Sequence, residues 1–326
     1  MSPEPEQKKE HEQLYSSLRP KRFSDYPGQQ ELIDNMSVYV EAAKIREQAL
    51  DHVLLHGPPG LGKTTLAHIS AHELSVPFYA TSGPALEKPR DMVGILTGLE
   101  DRAVLFIDEI HRLMVQAEEI LYTAMEDQSV DIVVGDGGSA RSVRVAVPSF
   151  TLIGATTKAA KLSRPLMSRF GIQEKLNYYD HDSLAEILRR GAHVLQIDFP
   201  DESLALIAQC SRGTPRIAHR LLRRVADFAE VYHAGTITPE LTSDTLKRLG
   251  IDKHGLDQTD KKILQVLLSR FHGGPVGIDS LAMAFGEDPQ TLEDVYEPYL
   301  VYRGYLQRTP RGRTLTNLGK KHLEAN

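Results

Sequence analysis

Gly57-Pro58-Pro59-Gly60-Leu61-Gly62-Lys63-Thr64 is the stretch that decides the fold. It fits the phosphate-loop pattern G-x4-GK[ST]. The apolar run 53–55 precedes it and the helix-like run 64–74 follows, the strand–loop–helix context the pattern requires. Its glycines let backbone N–H groups close around phosphate oxygens, and the helix N-terminus adds a favourable dipole. In this setting Gly60, Leu61, Gly62 and Thr65 supply loop contacts. Lys63 neutralises the β- and γ-phosphates, and Thr64 is the expected Mg2+ ligand.

Working outward, short apolar runs at 53–55, 78–80, 104–107 and 151–153 are bounded by Gly, Pro or charge. Their length suits buried parallel strands, with helical stretches such as 64–74 and 117–126 between them. An α/β, doubly wound domain is expected. The run Val104-Leu105-Phe106-Ile107 ends in Asp108-Glu109. Acids at the end of a buried strand are costly without a cationic or hydrogen-bonding role. Downstream of a phosphate loop, Asp108 fits the Mg2+ side of the site and Glu109 the residue that polarises an attacking water. No N-K-x-D or T-K-x-D sequence follows, since Thr157-Lys158 continues into Ala-Ala, so ATP is favoured over GTP. Stretches 129–134 and 140–147 flank a Gly-rich turn and read as a hairpin inserted into the α/β layout.

After Tyr179 the strand signals stop. Leu184, Ile187, Leu188 and Leu195 share one helical face, as do Ile217, Leu221, Val225 and Phe228. Thr238-Pro239-Glu240 reads as a helix start. The domains expected are a disordered tail 1–17, an α/β ATPase domain 18–180, a helical lid 181–251 and a winged-helix domain 254–326. The polar stretch 252–257 reads as a linker between the last two. Three short helices (260–271, 278–285, 289–299) and a hairpin about Thr309-Pro310-Arg311-Gly312-Arg313 outline the winged helix.

Composition sets the outer limits. At 326 residues the chain exceeds one ordinary core, so two or three domains are expected, and 41% hydrophobic with 25% charged residues is an ordinary soluble balance. Cys210 is the only cysteine, which leaves no disulfide framework and no Cys-rich zinc module. His68 and His72 have a metal-compatible spacing but lack the H-E-x-x-H glutamate. The polar N-terminus and the absence of a long apolar run point to a cytoplasmic protein with no membrane partner. A net charge of −6 excludes a uniformly DNA-attracting surface but not a local basic contact.

Taken together, the phosphate loop, Asp108-Glu109, Thr156-Thr157, Arg169 in Ser168-Arg169-Phe170-Gly171 and Gly213-Thr214-Pro215-Arg216 resemble the AAA+ ATPases. The resemblance implies that Thr157 is the first sensor and Arg216 the second. It makes Arg169 a finger reaching into a neighbouring subunit's site, and so implies a ring, a hexamer. Phosphoryl transfer needs charge neutralisation, and an arginine supplied in trans contributes a large share of the rate. Over residues 18–325 the resemblance narrows to the RuvB family of Holliday-junction branch-migration motors. It rests on Leu18-Arg19-Pro20-Lys21, Asp25-Tyr26-Pro27-Gly28-Gln29, Asp108-Glu109-Ile110-His111-Arg112, stretches 150–157 and 213–223, and Gln307-Arg308-Thr309-Pro310-Arg311-Gly312-Arg313. It implies an ATP site that includes Leu18, Arg19, Tyr26, Tyr179, Pro215 and Arg216, with Glu126, Asp127 and Gln128 near the nucleotide. It also implies duplex DNA at a Holliday junction as substrate, RuvA docked on hairpin 129–147, and the resolvase RuvC as a further partner. Pro165-Leu166-Met167 departs from the family pattern, where a charged pair is expected before the finger.

The C-terminal domain carries its own signal. The stretch about its third helix, Gly286–Glu297, carries Glu287, Asp288, Glu293, Asp294 and Glu297 with no Lys or Arg, a poor major-groove reader. Arg308, Arg311 and Arg313 instead crowd one hairpin, which suits backbone contact without base readout. A protein-unfolding ring is disfavoured because 81–94 holds no aromatic pore residue. A clamp-loader subunit often carries a zinc module that this chain cannot make, and a sequence-reading regulator conflicts with the acidic third helix.

Overall fold

The computed structural model describes residues 19–134 and 141–324. Leu18, the tail 1–17 and the hairpin tip 135–140 lie outside the described residues. The chain divides into two units, one ending at Tyr179 and one beginning at Asp180.

The first unit runs α1 (Gln30–Arg46), β1 (Val53–His56), α2 (Lys63–Leu74), β2 (Phe78–Ser82), α3 (Pro89–Thr97), β3 (Ala103–Asp108), α4 (Val115–Asp127), β4 (Ser129–Val134), β5 (Arg141–Ala146), β6 (Phe150–Thr156), α5 (Arg164–Met167) and β7 (Ile172–Lys175). Five strands pair in the order β2-β3-β6-β1-β7, all parallel. Helices cover the sheet, so its central strands are buried on both faces and read as unbroken apolar runs. Val53 to Leu55, Ala103 to Ile107 and all of β6 are buried. At β7 the burial alternates instead, as an edge strand allows, so its sequence shows no apolar run.

The inserted β4–β5 pair is antiparallel with Val130 opposite Val145 and Ile132 opposite Val143. Its apolar residues are not all available to a partner. Val130 and Val147 belong to the domain core, Ile132 and Val145 pack against it, and Val143 is exposed.

The second unit opens with the helical lid, α6 (His181–Val194), α7 (Asp201–Cys210), α8 (Pro215–His233) and α9 (Pro239–Arg248). Asp180 caps α6 by accepting from the Ser183 N–H at 2.7 Å, and Thr238 caps α9 through the Leu241 N–H at 3.2 Å. Leu184, Leu188, Leu204, Ile207, Leu221 and Val225 form the lid interior. The winged helix follows as α10 (Gln258–Phe271), α11 (Ile278–Phe285), α12 (Pro289–Thr291), a π turn over Leu292–Tyr296, α13 (Glu297–Tyr302), β8 (Leu306–Thr309), β9 (Gly312–Leu315) and α14 (Asn317–Glu324). Its core gathers Leu264, Leu267, Leu281, Leu300, Leu306 and Leu315.

Residues 252–257, expected as a linker, are an ordered joint. The Asp252 carboxylate accepts the His254 and Leu256 N–H groups at 2.9 and 3.0 Å, and it pairs with Lys261 and His322. From the lid, Arg212 donates to the Gly255 carbonyl at 2.7 Å and pairs with Asp257 and Asp260, its guanidinium 5.4 Å from the Tyr299 ring. No helix among the described residues is long and apolar enough to cross a membrane.

Candidate active site

The site lies at the carboxyl ends of β1, β3 and β6, the end of an open parallel sheet where ligands collect. Register places His56 beside Thr156 and Ser82 beside Asp108, and the Gly57 N–H donates to the Thr156 carbonyl at 3.2 Å. The phosphate loop bridges β1 and α2. Gly62 sits at φ +104, and a Cβ there would stand 2.5 Å from the Tyr26 hydroxyl. Gly57, at φ +141, has the Leu176 carbonyl 2.4 Å from where its Cβ would be. Only glycine tolerates both the backbone region and the approach.

Lys63 is buried, and its ammonium donates to the Gly57 and Pro58 carbonyls at 2.9 and 2.8 Å. The cation is therefore held inside the loop it would share with a phosphate. Thr64 and Thr65 follow it in the first turn of α2. Beneath the loop two buried phenols meet. The Tyr179 hydroxyl lies 2.8 Å from that of Tyr26, and each lies 3.2 Å from the Leu61 carbonyl. Burial pushes the Tyr179 phenol up to about 12 and that of Tyr26 well above its ordinary value, so both stay neutral donors. Nothing in the sequence announced that these tyrosines grip the loop by their hydroxyls. Arg19 lies near enough to lower the His68 imidazole, whose larger cause of lowering is burial. The ring of His68 packs on that of Phe78 with centroids 3.9 Å apart.

Asp108 ends β3 and accepts the Glu109 N–H at 2.9 Å. Glu109 takes the left-handed region at φ +49, which turns the chain sharply as it leaves the sheet. Its carboxylate rests against Arg112 at 3.0 Å, a half-exposed pair of modest strength. Thr156 is buried, with its hydroxyl 2.9 Å from His111 Nδ1 and accepting the Lys158 N–H at 2.9 Å. Thr157 stands exposed just beyond. His111 is thus a support for the strand tip that the sequence reading did not assign. Burial lowers its imidazole from the ordinary value, so it is neutral at physiological pH.

Arg169 lies elsewhere in this unit. Its guanidinium pairs with Glu126, donates to the Pro165 carbonyl at 3.1 Å and lies 5.2 Å from the Tyr122 ring centroid. Of the three residues expected near the nucleotide, Glu126 therefore meets Arg169, while Asp127 pairs with Arg144 of the hairpin at 2.8 Å. Gln128 ends α4 at φ +50. Pro215 and Arg216 occupy the first turn of α8 in the second unit, where Arg216 is exposed.

The wing arginines are not three free cations. Arg308 and Arg313 both pair with Glu297, which is 2% exposed, and both reach Glu293. Glu297 and Glu293 raise the Arg313 guanidinium further above its ordinary value. Its backbone is fixed as well, through two hydrogen bonds with Val276 at 3.0 and 2.8 Å. Arg311, at the turn, is exposed and has no partner among the described residues.

Comparison with solved structures gives a match along the chain's length. The Thermotoga maritima RuvB Holliday junction branch migration motor is 47% identical, covers 94% of this chain and 98% of its own, and superposes with a TM-score of 0.86. The chain belongs to the RuvB family. Models of this family's parts agree: the Holliday junction DNA helicase RuvB P-loop domain matches 18–176, the RuvB AAA lid domain 179–252 and the RuvB C-terminal winged helix domain 253–324. A lysine-to-arginine mutant of the Thermotoga maritima RuvB is 48% identical over the same shares of the two chains, with a TM-score of 0.87. As a RuvB-family protein with this P-loop domain, the chain is a nucleotide-binding ATPase motor.

Proposed function

We propose that this chain is an ATP- and Mg2+-dependent translocase that works in the cytoplasm as a homohexameric ring and pumps duplex DNA to move Holliday junctions. The observation that carries the reading is the position of Arg169. It is held by Tyr122, Glu126 and Pro165 of its own chain, and its contacts include neither the phosphate loop nor Asp108. An arginine so placed serves a neighbour's site rather than its own.

The residues present suit the nucleotide and its metal. Lys63, Thr64 and the loop amides form a phosphate cradle, and the hydroxyl of Thr64 with the carboxylate of Asp108 is a hard oxygen set of the kind Mg2+ takes. When bound, the ion neutralises charge on the transferred phosphoryl group. Glu109 orients and polarises the attacking water, Thr157 senses the γ-phosphate, and Arg169 of the next subunit stabilises the developing charge. Arg19, Tyr26, Tyr179, Pro215 and Arg216 bound the remainder of the nucleotide site, and Arg216 links the lid to nucleotide state. Glu126, Asp127 and Gln128 lie with Arg169 on the face offered to the neighbour. The wing, with Arg311 foremost beside Arg308 and Arg313, touches the DNA backbone. RuvA docks at hairpin 129–147 and holds the junction, on which RuvC also acts.

ATP turnover and migration of a four-way junction test this, measured with duplex DNA and a RuvA-type partner for the natural chain and for Glu109→Gln. Turnover stimulated by DNA, migration that needs the partner, and loss of both in the variant are expected. Turnover indifferent to DNA but raised by an unfolded protein would overturn the branch-migration reading.

A further inference from the structure

The geometry about Arg169 assigns a role to Glu126 that goes beyond proximity to a nucleotide. We propose that Glu126, together with Tyr122, is a positioning residue that fixes the Arg169 guanidinium for the neighbouring subunit's site. The proposal rests on the trans role of Arg169 given above and names what makes that role effective.

Arg169 is anchored twice. Its backbone follows the four-residue helix α5, whose Leu166 is fully buried, and precedes Phe170, also in the core. Ser163 caps α5 through the Leu166 N–H at 3.2 Å and donates its hydroxyl to Glu118 of α4, so the turn is riveted to that helix. The side chain is then aimed by the same helix. Tyr122 and Glu126 are four residues apart and share one face of α4, which is the spacing that lets both touch one group. Glu126 takes Nη2, the Pro165 carbonyl takes Nη1, and the Tyr122 ring lies beneath the guanidinium carbon. Nε is buried and makes no hydrogen bond.

Stability does not explain this arrangement. The Glu126 side chain is 61% exposed, and an ion pair open to water on one side adds little to folding. What it does is reduce the number of rotamers open to a long, flexible cation. An arginine already held near its working orientation loses less freedom when charge develops in front of it, and a small misplacement of such a group is costly to rate. The effect belongs to the chemical step, because the charge Arg169 meets is greatest in the transition state. Glu126→Gln should therefore lower kcat about tenfold with the KM for ATP unchanged. Arg169→Ala should lower it far more.

The decisive measurement is mixing of full-length variants, read as DNA-stimulated ATP turnover. A ring that combines Arg169→Ala with Glu109→Gln should regain activity, because each supplies what the other lacks. Glu126→Gln should behave as the finger variant does: restored by Glu109→Gln, not by Arg169→Ala. The double variant Arg169→Ala/Glu126→Gln should be no slower than Arg169→Ala alone. Tyr122→Leu should fall in the same group with a smaller loss. Restoration of Glu126→Gln by Arg169→Ala, a raised KM for ATP, or further loss in the double variant would mean that Glu126 serves a nucleotide directly, and the proposal falls. A faster basal rate in Glu126→Gln would also overturn it, since the contact would then restrain the finger. If the control mixture of Arg169→Ala with Glu109→Gln stays dead, the trans reading itself fails and takes this proposal with it.

Discussion

Removing Arg212 should destabilise the second unit severely at alkaline pH and mildly at acid pH. Its side chain is 10% exposed, and it faces Asp260, which is fully buried, and Asp257. Arg212→Ala leaves a buried carboxylate with no cation and also removes a hydrogen bond to the Gly255 carbonyl. Breaking such a pair by deleting one partner costs about 3–5 kcal/mol when the survivor must stay charged. Burial already pushes Asp260 up to about 7, against the lowering by Arg212. Between its unfolded value near 4 and this folded value the native state holds the proton that the unfolded chain has released. The group therefore lowers stability as pH rises through that window. Taking Arg212 away raises Asp260 further. Near pH 5 the carboxyl is neutral with or without Arg212 and the loss stays small, about 1–2 kcal/mol from packing and the lost hydrogen bond. By pH 8.5 the natural chain has ionised Asp260 and the variant resists doing so, which adds at most about 2 kcal/mol over the pH range above 7 and brings the loss to about 3–4 kcal/mol. A unit of this size changes its melting temperature by about 2–4 °C per kcal/mol, so a fall of about 6–16 °C is expected at pH 8.5 and about 2–8 °C at pH 5. Calorimetry of the full chain, following the transition of the second unit, reads both values, and Arg212→Ala/Asp260→Asn should recover part of the alkaline loss. A deficit that is flat with pH, or larger in acid, would refute the reasoning.

Three further outcomes are expected. Gly62→Ala places a Cβ 2.5 Å from the Tyr26 hydroxyl at φ +104, so titration with a fluorescent ATP analogue should show binding lost. Adding Tyr26→Phe should recover only part, because the backbone strain remains. Arg311→Ala should reduce the salt dependence of DNA binding by about one counterion, read as the slope of log affinity against log salt by anisotropy, whereas Arg313→Ala should chiefly lower the melting temperature, because buried Glu297 keeps only the pair with half-exposed Arg308. His111→Ala removes the support of Thr156 at 2.9 Å and should lower kcat about five- to tenfold with the KM for ATP nearly unchanged; in the natural chain, burial keeps this imidazole neutral, so kcat should show no step from His111 between pH 7 and pH 9.

Local patterns carried much of the architecture. The loop Gly57 to Thr64, the apolar runs of β1, β3 and β6 and the Thr238-Pro239 helix start each hold their signal within a few adjacent residues. Features that depend on a distant or alternating partner were not visible. At β7 an edge strand alternates, which weakens the apolar run. Residues 252–257 are polar and include a glycine, so they resemble a linker, yet Asp252 winds them into a turn by accepting two N–H groups. The third helix of the winged domain hides its π turn for a different reason. In a regular α-helix Glu297 would lie about 140° around from Leu292. The i→i+5 turn over Leu292–Tyr296 brings Glu297 back toward that buried face, where both side chains are indeed buried. A helical wheel therefore scores Glu297 as one more solvated acid on an acidic helix.

That misplaced glutamate alters what the wing can do. Three free arginines on one hairpin would displace about three counterions from DNA per subunit, and the grip would weaken steeply with salt. Glu297 and Glu293 instead neutralise much of Arg308 and Arg313 and brace the two strands against α13. Among the described residues, Arg311 is left as the wing cation without a counter-charge. In the proposed ring each wing then holds the backbone shallowly, and affinity comes from several subunits acting together. A shallow grip suits a motor that must release one phosphate to reach the next, because each release has a small barrier. The same carboxylates shape the hairpin that presents Arg311, so folding the wing and limiting its charge are accomplished by one buried acid. In the wing, Arg311 is placed singly while Arg308 and Arg313 are already paired.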